Sequence, residues 1–153
     1  MALTELVELV NEWGTLPREK DGRGAAPGGH HLAELADQVH PVFAATDPGA
    51  RATLVTGLLR ATGVRPELTS LDGALAEGWF VEDPAQQRRA AAALALRHHL
   101  AEHPGRLGVC ADRQCADVYV DASPAGRRRF CCLTCQNRAR AATFRRRRAE
   151  TGT

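Results

Sequence analysis

All five cysteines of the 153-residue chain lie between positions 110 and 135. Cys110 and Cys115 form a C-x4-C pair, and Cys131, Cys132 and Cys135 follow after a short linker. Four thiols in two close pairs are the ligand set of a tetrahedral structural zinc site. The first residues lack the basic segment of a secretory signal, and clustered cysteines in such a chain favour metal binding over disulfides. The sequence therefore predicts one Zn²⁺ per chain.

Spacing alone leaves the second pair of ligands open. Cys135 forms a C-x3-C pair with Cys131 and a C-x2-C pair with the adjacent Cys132. Either pair can lie at a helix start, where backbone N–H groups stabilise thiolates. The fourth ligand is therefore Cys131 or Cys132 on this argument.

The residues around the cysteines predict a treble-clef-like zinc finger. Strand-forming residues at Val118–Val120 and Phe130 flank a turn at Ser123–Gly126, so we expect a hairpin. Arg127–Arg129 would then lie on its second strand. An arginine-rich helix follows, with the last two metal ligands at its N-terminus. We expect Tyr119, Phe130 and Phe144 to form the small core of this module.

This segment resembles the CGNR zinc finger of bacterial proteins. That pattern has a C-x4-C pair, an aromatic-x-Asp motif, an Arg-Arg-aromatic-Cys run, a Ser, and a Cys-Gly-Asn-Arg opening of a basic helix. The matching positions are Cys110, Cys115, Tyr119-Val120-Asp121, Arg128-Arg129-Phe130-Cys131, Cys132 and Cys135-Gln136-Asn137-Arg138. The resemblance implies that Cys110, Cys115, Cys131 and Cys135 bind the metal. Cys132 would take the Ser place, as a small buried residue or as a redox-sensor thiol, and Gln136 replaces the family's Gly.

The resemblance also implies a role for the rest of the chain. In that family the finger follows a helical domain with a small β element, called ABATE, in stress-induced transcription regulators. Leu9-Val10-Asn11 is similar to the family's opening Leu-Val-Asn. We therefore expect an ABATE-like helical domain over residues 1–105 and a CGNR-like finger with a basic C-terminal helix over residues 106–153.

Hydrophobic periodicity and turn signals predict the elements of residues 1–105. The predicted fold class is α+β with helix predominant and one small hairpin in this region. We expect Trp13, Trp79 and Phe80 to lie in the core or to line a small-molecule pocket. The predicted elements are a helix Thr4–Trp13 capped by Thr4, a loop Thr15–Gly29, a helix His31–Ala45 kinked or broken at Pro41, a helix from Asp47-Pro48 to Thr62, a hairpin of Glu67–Leu71 with Leu75–Val81, and a helix Pro84–His103.

Charge is divided unevenly along the chain, whose net formal charge is +2. Residues 1–109 carry ten Arg and Lys against fourteen Asp and Glu, or −4, whereas residues 110–153 carry ten Arg against four acids, or +6. A basic module on an acidic body favours an anionic partner for the module, and an arginine-rich helix can contact phosphates or enter a major groove. The candidate nucleic-acid contacts are Arg127, Arg128, Arg129, Asn137, Arg138, Arg140, Arg145, Arg146, Arg147 and Arg148.

We therefore expect a cytoplasmic DNA-binding transcription regulator, whose helical domain binds a small-molecule effector or forms a homodimer. The alternatives are a zinc module that acts only in structure or protein interaction, and RNA binding. We expect no enzymatic activity, because no nucleophile or phosphate-binding motif is present and four cysteines fill a zinc site. We also expect no membrane association, because no apolar run approaches the ~20 residues of a membrane span.

Overall fold

A computed structural model describes residues 1–26 and 28–151, except for the side chain of Thr151. Pro27 of the predicted loop and residues 152–153 of the predicted finger lie outside this description. The expected α+β fold with helix predominant is confirmed. The elements are α1 (Leu3–Trp13), α2 (Thr15–Lys20), α3 (His30–Ala44), α4 (Pro48–Thr62), β1 (Arg65–Leu71), β2 (Ala74–Phe80), a 3₁₀ turn (Pro84–Gln86), α5 (Gln87–Glu102), β3 (Leu107–Val109), β4 (Val118–Val120) and α6 (Leu133–Thr151).

The apolar faces of α1, α3, α4 and α5 meet in one core. Its largest fully buried side chains include Phe43 of α3, Leu6 and Val10 of α1, and Leu96 of α5. Val55 adds the contribution of α4. All of these residues lie in helices that the hydrophobic periodicity predicted, because an amphipathic helix must bury one face against its neighbours.

The predicted start and end of α4 are confirmed. The carboxylate of Asp47 accepts a hydrogen bond from the backbone N–H of Ala50 at 2.7 Å, and Pro48 occupies the first turn. Gly63 ends the helix with a left-handed φ of 63°. The cap satisfies an N–H that the first turn leaves without an intrahelical acceptor.

Two predictions for the N-terminal helices are wrong. Ala2, not Thr4, precedes α1, and its N–H donates to the carboxylate of Glu5 at 2.9 Å. The segment predicted as a loop from position 15 contains α2, because Asp37 of α3 accepts hydrogen bonds from both the N–H and the hydroxyl of Thr15. The group that holds the start of α2 therefore comes from another helix, 22 residues away.

Pro41 does not break α3, which continues to Ala44. The proline removes one backbone hydrogen bond, but the buried side chains of Val39, Val42 and Phe43 hold both sides of it in the core. Packing therefore outweighs the local signal of the proline.

β1 and β2 form the predicted antiparallel hairpin, with Leu71 opposite Ala74. Asp72 and Gly73 both have positive φ, at 49° and 81°, as a two-residue hairpin turn of the I′ kind requires. Among the described residues the two hairpin strands contact chiefly each other, and Trp79 is 37% exposed and Phe80 49% exposed. The prediction that these two aromatic residues are core is therefore wrong, whereas Trp13 packs against the core.

The strand pairing near the cysteines differs from the prediction. β4 pairs with β3, Leu107 opposite Val120, and the segment 127–130 is not a strand. Side chains take the place of a strand partner there, since the carboxylate of Asp121 accepts the N–H of Arg128 at 2.9 Å and the hydroxyl of Tyr119 donates to the carbonyl of Arg128 at 2.6 Å.

Three polar side chains of the helical body hold the backbone around this β3–β4 ribbon. The amide of Asn11 both donates to the carbonyl of Val118 at 3.1 Å and accepts its N–H at 2.7 Å. Nε2 of the buried His40 lies 3.0 Å from the carbonyl oxygen of Ala116. The buried Arg51 donates to the carbonyls of Pro104 and Leu107 at 2.5 and 2.7 Å.

The β3–β4 ribbon also shares the apolar core of the helices through Leu107 and Val118. The ribbon that flanks Cys110 and Cys115 is therefore fixed to the helical body. Among the described residues, no helix combines the length and apolarity needed to cross a membrane.

Candidate metal centre

Four sulfur atoms from three separate segments meet in one cluster. Cys110 directly follows β3, Cys115 lies in the loop before β4, Cys131 precedes α6 and Cys135 lies in the first turn of α6. The four Sγ atoms all lie within 4.8 Å of one another. We call these four residues the cysteine cluster.

The sulfur spacing fits a tetrahedral metal and not a disulfide. Sγ of Cys131 lies 3.7 Å from Sγ of Cys115 and 3.6 Å from Sγ of Cys135. A Zn–S bond of about 2.3 Å in a regular tetrahedron places the sulfurs about 3.8 Å apart, whereas a disulfide needs about 2.05 Å. The cysteine cluster is therefore positioned to bind one metal ion.

Cys131, and not Cys132, supplies the fourth sulfur of the cysteine cluster. The side chain of Cys132 is exposed, so the expectation that it is a small buried residue is wrong. The backbone N–H of Cys135 lowers the pKa of the Cys132 thiol. Cys132 precedes the first helical residue, Leu133, so its sulfur lies at the position where a Ser hydroxyl would cap α6.

Backbone hydrogen bonds shape the first half of the site. The N–H of Cys110 donates to the carbonyl of Asp117 at 2.8 Å, next to the β3–β4 pairs. The N–H of Cys115 donates to the carbonyl of Asp112 at 3.0 Å, which closes a tight turn. The N–H of Asp117 points to the sulfur of Cys115 at 3.5 Å. An N–H directed at a sulfur stabilises the thiolate that a metal requires.

Burial makes the site unfavourable for free thiolates without a metal. Cys110, Cys115 and Cys135 are each at most 7% exposed, and Phe130 packs against the cluster. Burial raises the pKa of Cys115 to about 12, and it also raises the pKa values of Cys131 and Cys135. Because a bound cation stabilises the deprotonated sulfurs, metal binding at this site releases protons.

Arg138 links α6 to both halves of the cysteine cluster. Its guanidinium lies 2.5 Å from the buried carboxylate of Asp112 and 3.3 Å from the sulfur of Cys135, and it donates to Gln114 at 3.3 Å. The hydrogen bonds to Cys135 and Asp112 raise the pKa of Arg138.

Burial by itself would raise the pKa of Asp112. Hydrogen bonds from the N–H of Gln114 and from Arg138 outweigh that effect, so the pKa of Asp112 is lowered. Asp112 therefore stays ionised opposite Arg138. The sequence offered no signal for Asp112 or Gln114, because their partner lies 24 to 26 residues away.

Arg128 holds the second half of the site. Its guanidinium donates to the carbonyls of Phe130, Val120 and Cys131, and it lies over the ring of Tyr119 at 5.0 Å. Arg128 and Arg138 were both predicted as nucleic-acid contacts, and the structure places both guanidinium groups in hydrogen bonds within the finger.

The other predicted nucleic-acid contacts are exposed side chains. Arg127 and Arg129 line a hollow of about 480 Å³ with Phe130, Leu133 and Gln136 at the start of α6. Beyond it, α6 is exposed over nearly all of its length, and Phe144 is 62% exposed, so its expected place in a core is wrong. The exposed predicted contacts on this helix are Asn137, Arg140, Arg145, Arg146, Arg147 and Arg148.

Residues 106–148 match the sequence model of the CGNR zinc finger family. The match includes the cysteine cluster, Arg128 and Arg138, so the resemblance seen in the sequence is confirmed for this segment. It does not extend into residues 1–105, for which an ABATE-like domain stays a prediction. No curated protein is significantly similar to the chain.

Proposed function

We propose that the cysteine cluster holds one structural Zn²⁺. Four thiolates in a tetrahedron are a preferred donor set of this ion, and the sulfur spacing matches its bond length. When bound, the ion supplies a cross-link between the β3–β4 loop and the start of α6. With four sulfurs the coordination is complete, so we propose a site without catalysis.

We further propose that the zinc finger binds duplex DNA through phosphates and that the protein is a cytoplasmic transcription regulator. The observation that carries this proposal is the exposed basic surface formed by Arg127, Arg129 and the arginines of α6. Among the described residues of α6 after Cys135, none is buried and most are exposed, so packing on the helical body does not cover this part of the helix. An exposed arginine-rich helix suits a phosphate backbone or a major groove.

Within this proposal the arginines have two roles. Arg128 and Arg138 hold the finger together, because their guanidinium groups already bind backbone carbonyls, Asp112 and Cys135. Arg127 and Arg129, with the arginines of α6 other than Arg138, contact phosphates. Only substitutions in the second group should weaken DNA binding while the metal site stays intact.

Fluorescence anisotropy of a labelled duplex, titrated with the zinc-loaded protein at several salt concentrations, tests the proposal. Several phosphate contacts predict a steep linear fall of log K with log salt, with a slope of about −0.9 for each contact. The double variant Arg127→Gln/Arg129→Gln should lower the magnitude of the slope by about 1 to 2. Arg60→Gln, an exposed arginine of α4, is the matched control and should leave it unchanged.

A structural role for the finger is the second candidate. The observation that favours it is the attachment of the β3–β4 ribbon to the helical body through Asn11, His40 and Arg51. In that case zinc ties the C-terminal segment to the body, and duplex DNA shows no binding even at low salt. Binding of single-stranded or duplex RNA in preference to DNA would instead identify an RNA-binding finger.

A further inference from the structure

A groove of about 340 Å³ runs between α4 and α5, away from the cysteine cluster. Its walls are mainly apolar, with Val55 and Leu59 from α4 and Leu100 from α5. Two positive side chains, Arg51 and Arg97, belong to the lining, and no carboxylate does. We call this surface the α4–α5 groove.

Arg51 is a buried charge without a counter-ion. It is only 6% exposed, and no carboxylate of the described residues forms an ion pair with it. Its two terminal nitrogens donate to the carbonyls of Pro104 and Leu107, whereas its Nε is buried and has no acceptor among the described residues. A buried charge that is compensated only by dipoles favours an anion beside it.

Desolvation lowers the pKa of Arg51, although an arginine stays charged in a protein. The positive charge therefore persists at the end of the groove near the start of α4. Arg97 is exposed on α5 and adds a second positive charge at the rim.

We propose that the α4–α5 groove binds a small carboxylic acid, with its carboxylate toward Arg51 and its apolar part along Val55, Leu59 and Leu100. A single negative charge matches the one buried guanidinium, and the apolar walls match a hydrocarbon or aromatic body.

The dimensions of the groove suit a small ligand. Its volume lies at the lower end of the range of about 300–1,000 Å³ that small-molecule sites occupy. The face of α4 from Pro48 to Leu59 is about 16 Å long at 1.5 Å per residue. A short acyl chain or a single ring with a carboxylate fits these limits.

The groove is joined to the finger through the same guanidinium. Arg51 holds the carbonyl of Leu107, the first residue of β3, three positions before Cys110. A ligand at Arg51 therefore contacts the residue that holds β3, the strand that leads to Cys110. The binding proposal stands without the DNA proposal, since every residue that lines the groove lies in the helical body.

Isothermal titration calorimetry of the full zinc-loaded chain with octanoate tests the proposal. We expect saturable binding at one site per chain. Acetate, which lacks the apolar body, and octanol, which lacks the carboxylate, should each bind at least tenfold more weakly. Arg97→Gln should weaken octanoate binding several-fold, because it removes the charge at the rim.

Two variants that fill the groove locate the site. Ala52 on α4 and Ala101 on α5 are exposed residues on opposite walls of the groove. Ala52→Trp and Ala101→Trp each put a bulky ring into the groove, and each should weaken octanoate binding at least tenfold. Ala61→Trp, at an exposed position of α4 outside the groove, should leave the affinity unchanged. Circular dichroism establishes that each variant is folded. One folded groove variant is enough to test where octanoate binds.

Three outcomes would overturn the proposal. They are the absence of saturable octanoate binding, equal affinities for octanoate and octanol, and full affinity in a folded groove variant. Loss of DNA binding bears on none of these results, so failure of the two proposals can be told apart.

Discussion

Replacing Asn11 with alanine should weaken the attachment of β4 to α1. The substitution removes both hydrogen bonds between the side-chain amide and the backbone of Val118. Each such bond contributes about 1 kcal/mol net, and a buried partner left unsatisfied costs about 1–3 kcal/mol. Because these bonds are only partly buried, water can replace part of the loss, so we expect a decrease of about 2–3 kcal/mol in the free energy of unfolding.

Urea unfolding of the zinc-loaded protein, followed by far-UV circular dichroism, measures this difference. Total stabilities of about 5–15 kcal/mol make the expected loss a large fraction of the whole. The matched control is Asn137→Ala, at the only other asparagine, which is exposed on α6. Alanine is the better helix former there, so stability should stay the same or rise by up to about 0.7 kcal/mol.

The same variant should also affect the metal site, because β4 follows Cys115 after two residues. Asn11→Ala should therefore release zinc to a chelator faster than the unaltered chain, and Asn137→Ala should not. A loss of stability below about 0.5 kcal/mol for Asn11→Ala, within the range of ordinary surface substitutions, would refute the view that this amide fixes the finger to the body.

Three further substitutions test the finger itself. Serine at any one position of the cysteine cluster should abolish stoichiometric zinc by elemental analysis, whereas Cys132→Ser should retain it; the reverse result for Cys131 and Cys132 would exchange their roles. Gly108→Ala should lower the free energy of unfolding in urea by about 1–3 kcal/mol, because the added carbon would lie 2.6 Å from the hydroxyl oxygen of the buried Tyr119. At Gly105 an added carbon meets no atom within 4 Å, so the control Gly105→Ala should leave the stability unchanged. Arg138→Gln should speed zinc release to a chelator several-fold relative to Arg140→Gln, since only Arg138 of these two contacts Asp112 and Cys135. Equal release rates would show that the ion pair between Arg138 and Asp112 does not support the metal site.

The metal centre was predictable because its signal is local. Four thiols close together in the sequence have few uses in a chain of this kind, so spacing alone indicates the metal. The local sequence does not decide between Cys131 and Cys132, since both precede Cys135 at a spacing that a zinc site accepts. The choice of Cys131 followed from the family resemblance, and the structure shows its physical basis in the direction of the two adjacent side chains.

The strand pairing could not be predicted in the same way. Strand-forming residues on both sides of Ser123–Gly126 favour a local hairpin, but β4 pairs with β3 across the cysteine loop. The competing contacts are those of Asp121 and Tyr119 with the backbone of Arg128, which no periodicity reveals. Likewise, α2 depends on Asp37, a residue of the next helix.

The family-like opening Leu-Val-Asn acquires a physical meaning in the structure. Val10 is fully buried in the helical core, whereas Asn11, the next residue, points to β4 and satisfies both backbone groups of Val118. An amide can do both because it carries a donor and an acceptor. The motif therefore joins the two predicted units, which the sequence alone presents as separate.

The direction of α6 is set by two residues in its first two turns. Cys135 attaches the first turn to the cysteine cluster, and Arg138 attaches the next to Asp112. A phosphate at Arg138 would have to compete with a carboxylate at 2.5 Å and with a sulfur that becomes anionic when zinc binds. Because the charge of Arg138 is already compensated, a phosphate gains little there. We therefore expect Arg138 to orient the helix, and the exposed arginines beyond it to supply the contacts with DNA.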